Sequence, residues 1–192
     1  MLNKVIAWLC LVPGIAIAQT DSLQKKIKYY NSFVSGIMTG SSEDADAKEF
    51  SVSFTTVHGV KFSPGIKAGI GVGIDTYYDL KVFPILLSVT IDEEKRKHGF
   101  FVQVNGGYSF ARYTEREQDF EEIDVHAQGG FMINPMIGYR MIIENKRIYV
   151  LAGYKYQVAS LNYDYPEWWG FAESSKEYEL NRFVIQLGFG LE

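Results

Sequence analysis

From Gly65 to Asp75 the chain alternates between aliphatic and small or polar residues without a break. Ile66, Ala68, Ile70, Val72 and Ile74 form one series. Gly65, Lys67, Gly69, Gly71, Gly73 and Asp75 form the other. Side chains two residues apart share a face of a strand, so the stretch predicts one long strand with an aliphatic side and a glycine side. Glycines at every second position miss the G-x-G-x-x-G spacing of a dinucleotide loop, and no helical pattern follows.

The same two-faced pattern returns along the chain. Phe100, Val102, Val104, Tyr108 and Phe110 oppose Gln103, Asn105, Gly107, Ser109 and Ala111. Phe131, Ile133, Ile137, Tyr139 and Met141 oppose Asn134, Gly138 and Arg140. Ile148, Val150, Ala152, Tyr154, Tyr156 and Val158 oppose Gly153, Lys155 and Gln157. Phe183, Ile185, Leu187, Phe189 and Leu191 oppose Gln186, Gly188, Gly190 and Glu192. Weaker versions occupy 49–59 (Phe50, Val52, Phe54) and 82–92 (Phe83, Ile85, Leu87, Val89, Ile91), and 30–40 is strand-like with two similar faces. The reading is eight strands, at about 30–40, 48–59, 64–76, 82–92, 99–112, 130–143, 147–160 and 178–192. Long connections follow the first, fifth and seventh strands (Ser41–Ala47, Tyr113–Gly129, Leu161–Glu177). Short ones, Gly59–Ser63, Glu93–His98 and Glu144–Lys146, lie between them; Tyr77–Lys81 alone breaks the rhythm. Long loops therefore gather at one end of the sheet and tight turns at the other.

The first eighteen residues read differently. One cation, Lys4, precedes an apolar run from Val5 to Ala18, and Ala16-Ile17-Ala18 fits a small-x-small cleavage site. The run is too short to span a bilayer as a helix, so residues 1–18 are expected to be a secretory signal peptide, followed by a short lead-in at 19–29 and a barrel at 30–192. Cleavage removes Cys10, the one cysteine, together with Lys4, and takes the net charge from −4 to −5. A disulfide framework is thereby excluded. The mild acidity argues against a nucleic-acid partner, which needs a basic face.

The polar series decides which face is inside. It is Gly, Asn, Gln, Ser and Ala with isolated ions, which suits the crowded interior of a closed eight-stranded barrel. The opposite series is Ile, Val, Leu, Phe and Tyr in nearly every strand. Such a surface aggregates in water, whereas lipid requires it, and closure satisfies every backbone group. Tyr29, Tyr30, Tyr77, Tyr78, Tyr108, Phe110, Tyr113, Tyr154 and Tyr156 fall near strand ends, as interfacial aromatic girdles do. Charges cluster in connections, as in Glu93-Glu94-Lys95-Arg96-Lys97 and Glu115-Arg116-Glu117. The expected fold is all-β: a closed, antiparallel, up-and-down transmembrane barrel of eight strands.

In these features the chain resembles the small eight-stranded outer-membrane barrels of Gram-negative bacteria, the OmpA/OmpX-like and porin-like barrels. The resemblance covers about 30–192 and rests on pattern. Its one local motif is the C-terminal assembly signal, polar-x-Gly-x-x-apolar-x-aromatic, which Gln186-Leu187-Gly188-Phe189-Gly190-Leu191 matches through the apolar position. The closing aromatic would fall one residue beyond Glu192. The resemblance implies termini and short turns in the periplasm, longer loops outside, and Sec-type secretion. The partners it implies are outer-membrane lipid, lipopolysaccharide and, through the last strand, the barrel-assembly machinery.

Little in the sequence carries chemistry. Of His58, His98 and His126, only His126 lies beside acids in a long loop (Glu121, Glu122, Asp124), and no serine pairs with it by spacing. A lipid-modifying enzyme built on His126 is therefore the alternative to a protein without a catalytic site. Asp44-x-Asp46 fails as a calcium loop because Lys48 holds the third ligand position, so no metal and no cofactor are expected. Two groups are candidate sites. Tyr163, Tyr165, Trp168, Trp169 and Phe171 make the last loop the most aromatic, a candidate interaction surface. Lys67, Asp75, Arg140, Lys155 and Gln157 are expected to form a polar network inside the barrel, since charges off water must be paired. The resulting expectation is a monomer with a structural or surface-interaction role. A soluble lipocalin-like barrel is a further alternative, and it reverses the faces, placing Ile70 and Val72 inside.

Overall fold

The computed structural model describes residues 27–40, 49–63, 65–77, 80–93, 97–114, 124–143, 146–167 and 170–191. Among them are eight strands and no helix: β1 (Lys28–Gly40), β2 (Glu49–Ser63), β3 (Ile66–Thr76), β4 (Leu80–Asp92), β5 (His98–Tyr113), β6 (Asp124–Ile143), β7 (Lys146–Glu167) and β8 (Gly170–Leu191). Each pairs antiparallel with its sequence neighbours, and β1 closes on β8 from Asn31↔Leu191 to Thr39↔Phe183. The expected signal peptide and most of the lead-in lie outside the described residues, as do Asp44 and Asp46.

Register fixes the barrel's shape. Cross-strand partners run Lys28, Lys61, Lys67, Thr90, Gln103, Met136, Gly153, Val184 and return to β1 at Met38, ten residues above the start. With strands about 4.8 Å apart and a rise of about 3.3 Å per residue, that stagger tilts the strands by about 40°. The end where β1 begins and β8 finishes also carries the turns β2–β3, β4–β5 and β6–β7. It is called the near end below, and the opposite end the far end.

The faces fall as the alternation requires. Ile70 and Val72 are 61% and 52% exposed on the outside, while Lys67 and Asp75 of the same strand are buried in the lumen. The lipocalin-like alternative needs the reverse and is excluded by this arrangement. Most exposed aromatics fall in two rows, with Tyr29, Phe62, Phe100, Tyr139 and Phe189 toward the near end and Phe50, Phe83, Phe110, Phe131 and Phe183 toward the far end, while Phe33 and Phe54 lie between them. Aliphatic residues such as Ile37, Ile85, Leu87, Val104, Ile137 and Leu187 fill the zone between. Phe100 and Phe110 are ten residues apart on β5, which at this tilt separates the rows by about 25 Å along the barrel axis, the height of a barrel's apolar band. Two residues expected in the girdles are not there: Tyr30 and Tyr77 are buried inside. Their parity with Val34 and with Asp75 sends them inward.

Glycine makes room in the lumen. A methyl group on Gly71 would sit 2.7 Å from the Leu86 side chain, and one on Gly138 would sit 2.3 Å from the Phe101 ring. Gly65 turns the chain into β3 with φ of 96°. Pro84 lies inside β4 without an N–H to donate, and the β3–β4 pairing skips from Val72↔Ile85 to Asp75↔Val82.

The last three strands run longer than the sequence pattern predicts. β6 starts at Asp124 rather than 130, β7 reaches Glu167, and β8 begins at Gly170. The expected 161–177 loop is therefore largely a continuous hairpin, paired from Leu161↔Lys176 to Glu167↔Gly170. Beyond the apolar zone both faces of such a hairpin can meet water, so the hydrophobic alternation that marks a strand fades although the hydrogen-bond ladder continues.

Candidate functional site

The lumen collects its charged side chains in two groups. At the near end Asp92, on the last residue of β4, faces Arg140 of β6 and Lys67 of β3. The Arg140 Nε to Asp92 Oδ2 distance is 2.8 Å and the Lys67 Nζ to Asp92 Oδ2 distance is 3.6 Å. Arg140 also donates to Asp92 Oδ1 at 3.0 Å and to the Glu93 carbonyl at 3.1 Å. Lys67 stands 5.8 Å from the centre of the Tyr30 ring. One carboxylate thus serves two buried cations.

Above this triad lies a small cavity lined by Tyr30, Lys67, Ser88, Thr90, Asp92 and Gln103 on its polar side. Water centres could occupy about 20 Å³ of it, room for a water molecule and for nothing much larger. Gln103 donates to Asn105 at 3.0 Å, and Phe101 packs edge-on against Tyr149 with ring centres 5.6 Å apart.

At the far end Asp75 of β3 pairs with Lys155 of β7. Beside that pair the Tyr77 hydroxyl donates to Gln157 Oε1 at 3.0 Å, and Gln157 Nε2 donates to Ser109 Oγ at 3.0 Å. Arg182, fully buried, donates to the Gly40 carbonyl at 2.7 Å and lies 5.5 Å from the Tyr77 ring centre. An apolar cluster of Met38, Tyr77, Leu80, Val82, Leu161 and Leu180 closes over this group.

All five residues expected in the interior network are buried in the lumen: Lys67 and Arg140 in the near group, Asp75, Lys155 and Gln157 in the far one. They form two networks rather than one. Sequence reading missed Asp92, Arg182 and Tyr77. The signal for Asp92 was its even parity with Ser88 and Thr90, and for Arg182 its parity with Val184 and Gln186; each stands at the edge of its alternating run, where few neighbours fix the face.

The aromatic group of the last connection is spread along the hairpin. Tyr163 on β7 is half-buried against the far apolar cluster. Tyr165 and Phe171 belong to the paired backbone of β7 and β8. Trp168 and Trp169 lie outside the described residues. His126 is exposed on β6 opposite Asn162, and His98 is exposed at the start of β5. His58 faces outward, its Nδ1 against the Tyr29 hydroxyl and its Nε2 3.3 Å from Thr56 Oγ. Among the described residues no three of His, Cys, Asp and Glu converge as metal ligands.

A closed eight-stranded antiparallel barrel with an apolar outer band and a polar, filled lumen defines a class: the fold is that of the small eight-stranded outer-membrane barrels. The chain is similar to the crystal structure of Neisserial surface protein A (TM-score 0.59, 10% identity, covering 85% of this chain and 96% of that one). It is also similar to that of the outer membrane protein OprG from Pseudomonas aeruginosa (TM-score 0.56, 13% identity, covering 88% and 98%). No family profile and no curated protein matches it by sequence.

Proposed function

We propose that this chain is a monomeric outer-membrane barrel with a structural or surface-interaction role, acting through what its far end presents and without a catalytic site. The observation that carries this reading is the outer surface: two aromatic rows bounding a largely aliphatic apolar zone around a closed sheet. In this orientation the near end lies in the periplasm and the β6–β7–β8 extension stands outside the cell. Residues 1–18 direct Sec-type secretion, the assembly machinery takes the last strand through Gln186–Leu191, and lipid and lipopolysaccharide surround the band. His126 has no catalytic part, so His126→Ala leaves outer-membrane lipid composition unchanged.

The test is gel mobility of the detergent-extracted outer-membrane fraction, heated against unheated. The expected result is a shift on boiling, together with labelling of Ser175→Cys by a membrane-impermeant maleimide on intact cells. Recovery in the soluble periplasm with no shift would remove the reading.

A further inference from the structure

Two cations stand side by side on the outside of the barrel. Lys81 of β4 and Arg112 of β5 are direct cross-strand partners, and the next pair below them on the same face is Phe83↔Phe110. Both aromatics are exposed members of the far-end row. Lys81 and Arg112 are exposed as well, and among the described residues neither has an ion-pair partner. Like charges directly opposite in a sheet repel. Here the repulsion is placed one step above the aromatic row, on the side away from the aliphatic zone.

We propose that Lys81 and Arg112 form a binding site for the phosphate of an outer-leaflet lipid headgroup, an inference that rests on the outer-membrane reading above. An Arg fork and a Lys ammonium side by side offer several donors to one tetrahedral dianion, which turns their repulsion into joint attraction. The surface below suits the rest of the molecule. Ile85, Leu87 and Val89 of β4 and, beyond the exposed Tyr108, Val104 and Val102 of β5 continue downward from Phe83 and Phe110, an apolar track for acyl chains. A single cation at this level can simply reach up to water. Two of them locked opposite each other on neighbouring strands place their charges on one spot, and a phosphorylated lipid is the anion that this depth in a membrane supplies.

The experiment uses the full chain folded in detergent, with native mass spectrometry counting bound lipid. The ligands are a diphosphorylated glucosamine-disaccharide lipid and its dephosphorylated counterpart. Wild type should prefer the phosphorylated form, and the double variant Lys81→Gln/Arg112→Gln should lose that preference by about 30-fold, the effect of two basic residues at a membrane surface. Lys146→Gln, an exposed cation at the near end, should leave it unchanged. Equal binding by wild type and double variant would overturn the site, and so would full displacement by millimolar inorganic phosphate, which would make it a general anion site. The boiling shift is run on every variant. A folded, inserted barrel with unaltered lipid preference refutes the site alone, whereas loss of the shift in wild type refutes the membrane reading itself.

Discussion

The two ends of the lumen solve the same problem in different ways. At the near end one carboxylate, Asp92, neutralises two buried cations, Lys67 and Arg140, beside a cavity of water size. At the far end the ion pair Asp75–Lys155 stands beside a hydrogen-bonded chain of neutral groups, Tyr77, Gln157 and Ser109, and an apolar cluster covers it. A buried charge costs most when it loses its partner. The near end gathers two cations on Asp92, and the far end sets a chain of neutral hydrogen bonds beside its ion pair. The lumen is thus sealed by a charge hub at one end and by a hydrogen-bonded layer with a greasy lid at the other.

Removing the hub has the largest expected effect. Asp92→Ala takes the Asp92 carboxylate from both the Arg140 guanidinium and the Lys67 ammonium, and should cost about 3–5 kcal/mol of stability. Urea unfolding from detergent micelles measures it. The double variant Asp92→Ala/Arg140→Met should recover part of that loss, since it removes the fully buried cation as well as the acid.

Asp75→Ala is the matching change at the far end. It strands Lys155 alone, and the expected loss is about 3 kcal/mol, at the lower end of the range for a broken buried pair. The same unfolding measurement ranks the two. A loss from Asp75→Ala equal to or larger than that from Asp92→Ala would break the contrast between a hub and a distributed layer.

Packing gives a smaller effect near the hub. Gly138→Ala puts a methyl group 2.3 Å from the Phe101 ring, which is itself wedged against Tyr149. The ring must shift, at an expected cost of about 1–3 kcal/mol. Phe101→Leu in the same chain should relieve part of it, and failure to do so would locate the strain elsewhere.

The barrel was legible in the sequence because lipid and a crowded lumen demand opposite side chains at every second position. Gly65 to Asp75 announces both faces at once, and Lys67 and Asp75 could be placed inside from parity alone. Legibility failed where one of those two demands lapses. Above the apolar zone the exposed residues of β8 are polar, Ser174 to Glu177 among them, so Leu161 to Glu177 reads as a loop although Leu161–Glu167 and Gly170–Lys176 stay paired. Asp92 is the last residue of its strand, where few neighbours fix which face it takes. Tyr30 and Tyr77 were misplaced because an aromatic near a strand end suits an interface and a lumen equally well, and only register distinguishes them. The pairing of cations with acids was not legible either, because it depends on the ten-residue stagger that sets which residues of distant strands share a level.

The smallest expected effect sharpens the contrast most directly. Gln157 accepts from the Tyr77 hydroxyl and donates to Ser109, and it carries no charge. Gln157→Leu keeps much of its volume and deletes both contacts, leaving the Tyr77 and Ser109 hydroxyls buried without them. A net loss of about 0.5–1.5 kcal/mol is typical of one intramolecular hydrogen bond, and abandoned buried partners add to it. Two such contacts would then predict about 1–3 kcal/mol if they acted independently. The far end has other acceptors within its layer, and a hydroxyl can rotate to a new one, so the expected value is about 1 kcal/mol. The cycle with Asp75→Ala tells whether the layer acts as a unit. Coupling of about 1 kcal/mol or more between the two changes means that the neutral groups hold the ion pair in place. Additivity means that Asp75 and Lys155 stand by themselves, and the far end would then be a second hub with apolar cover rather than a shared network.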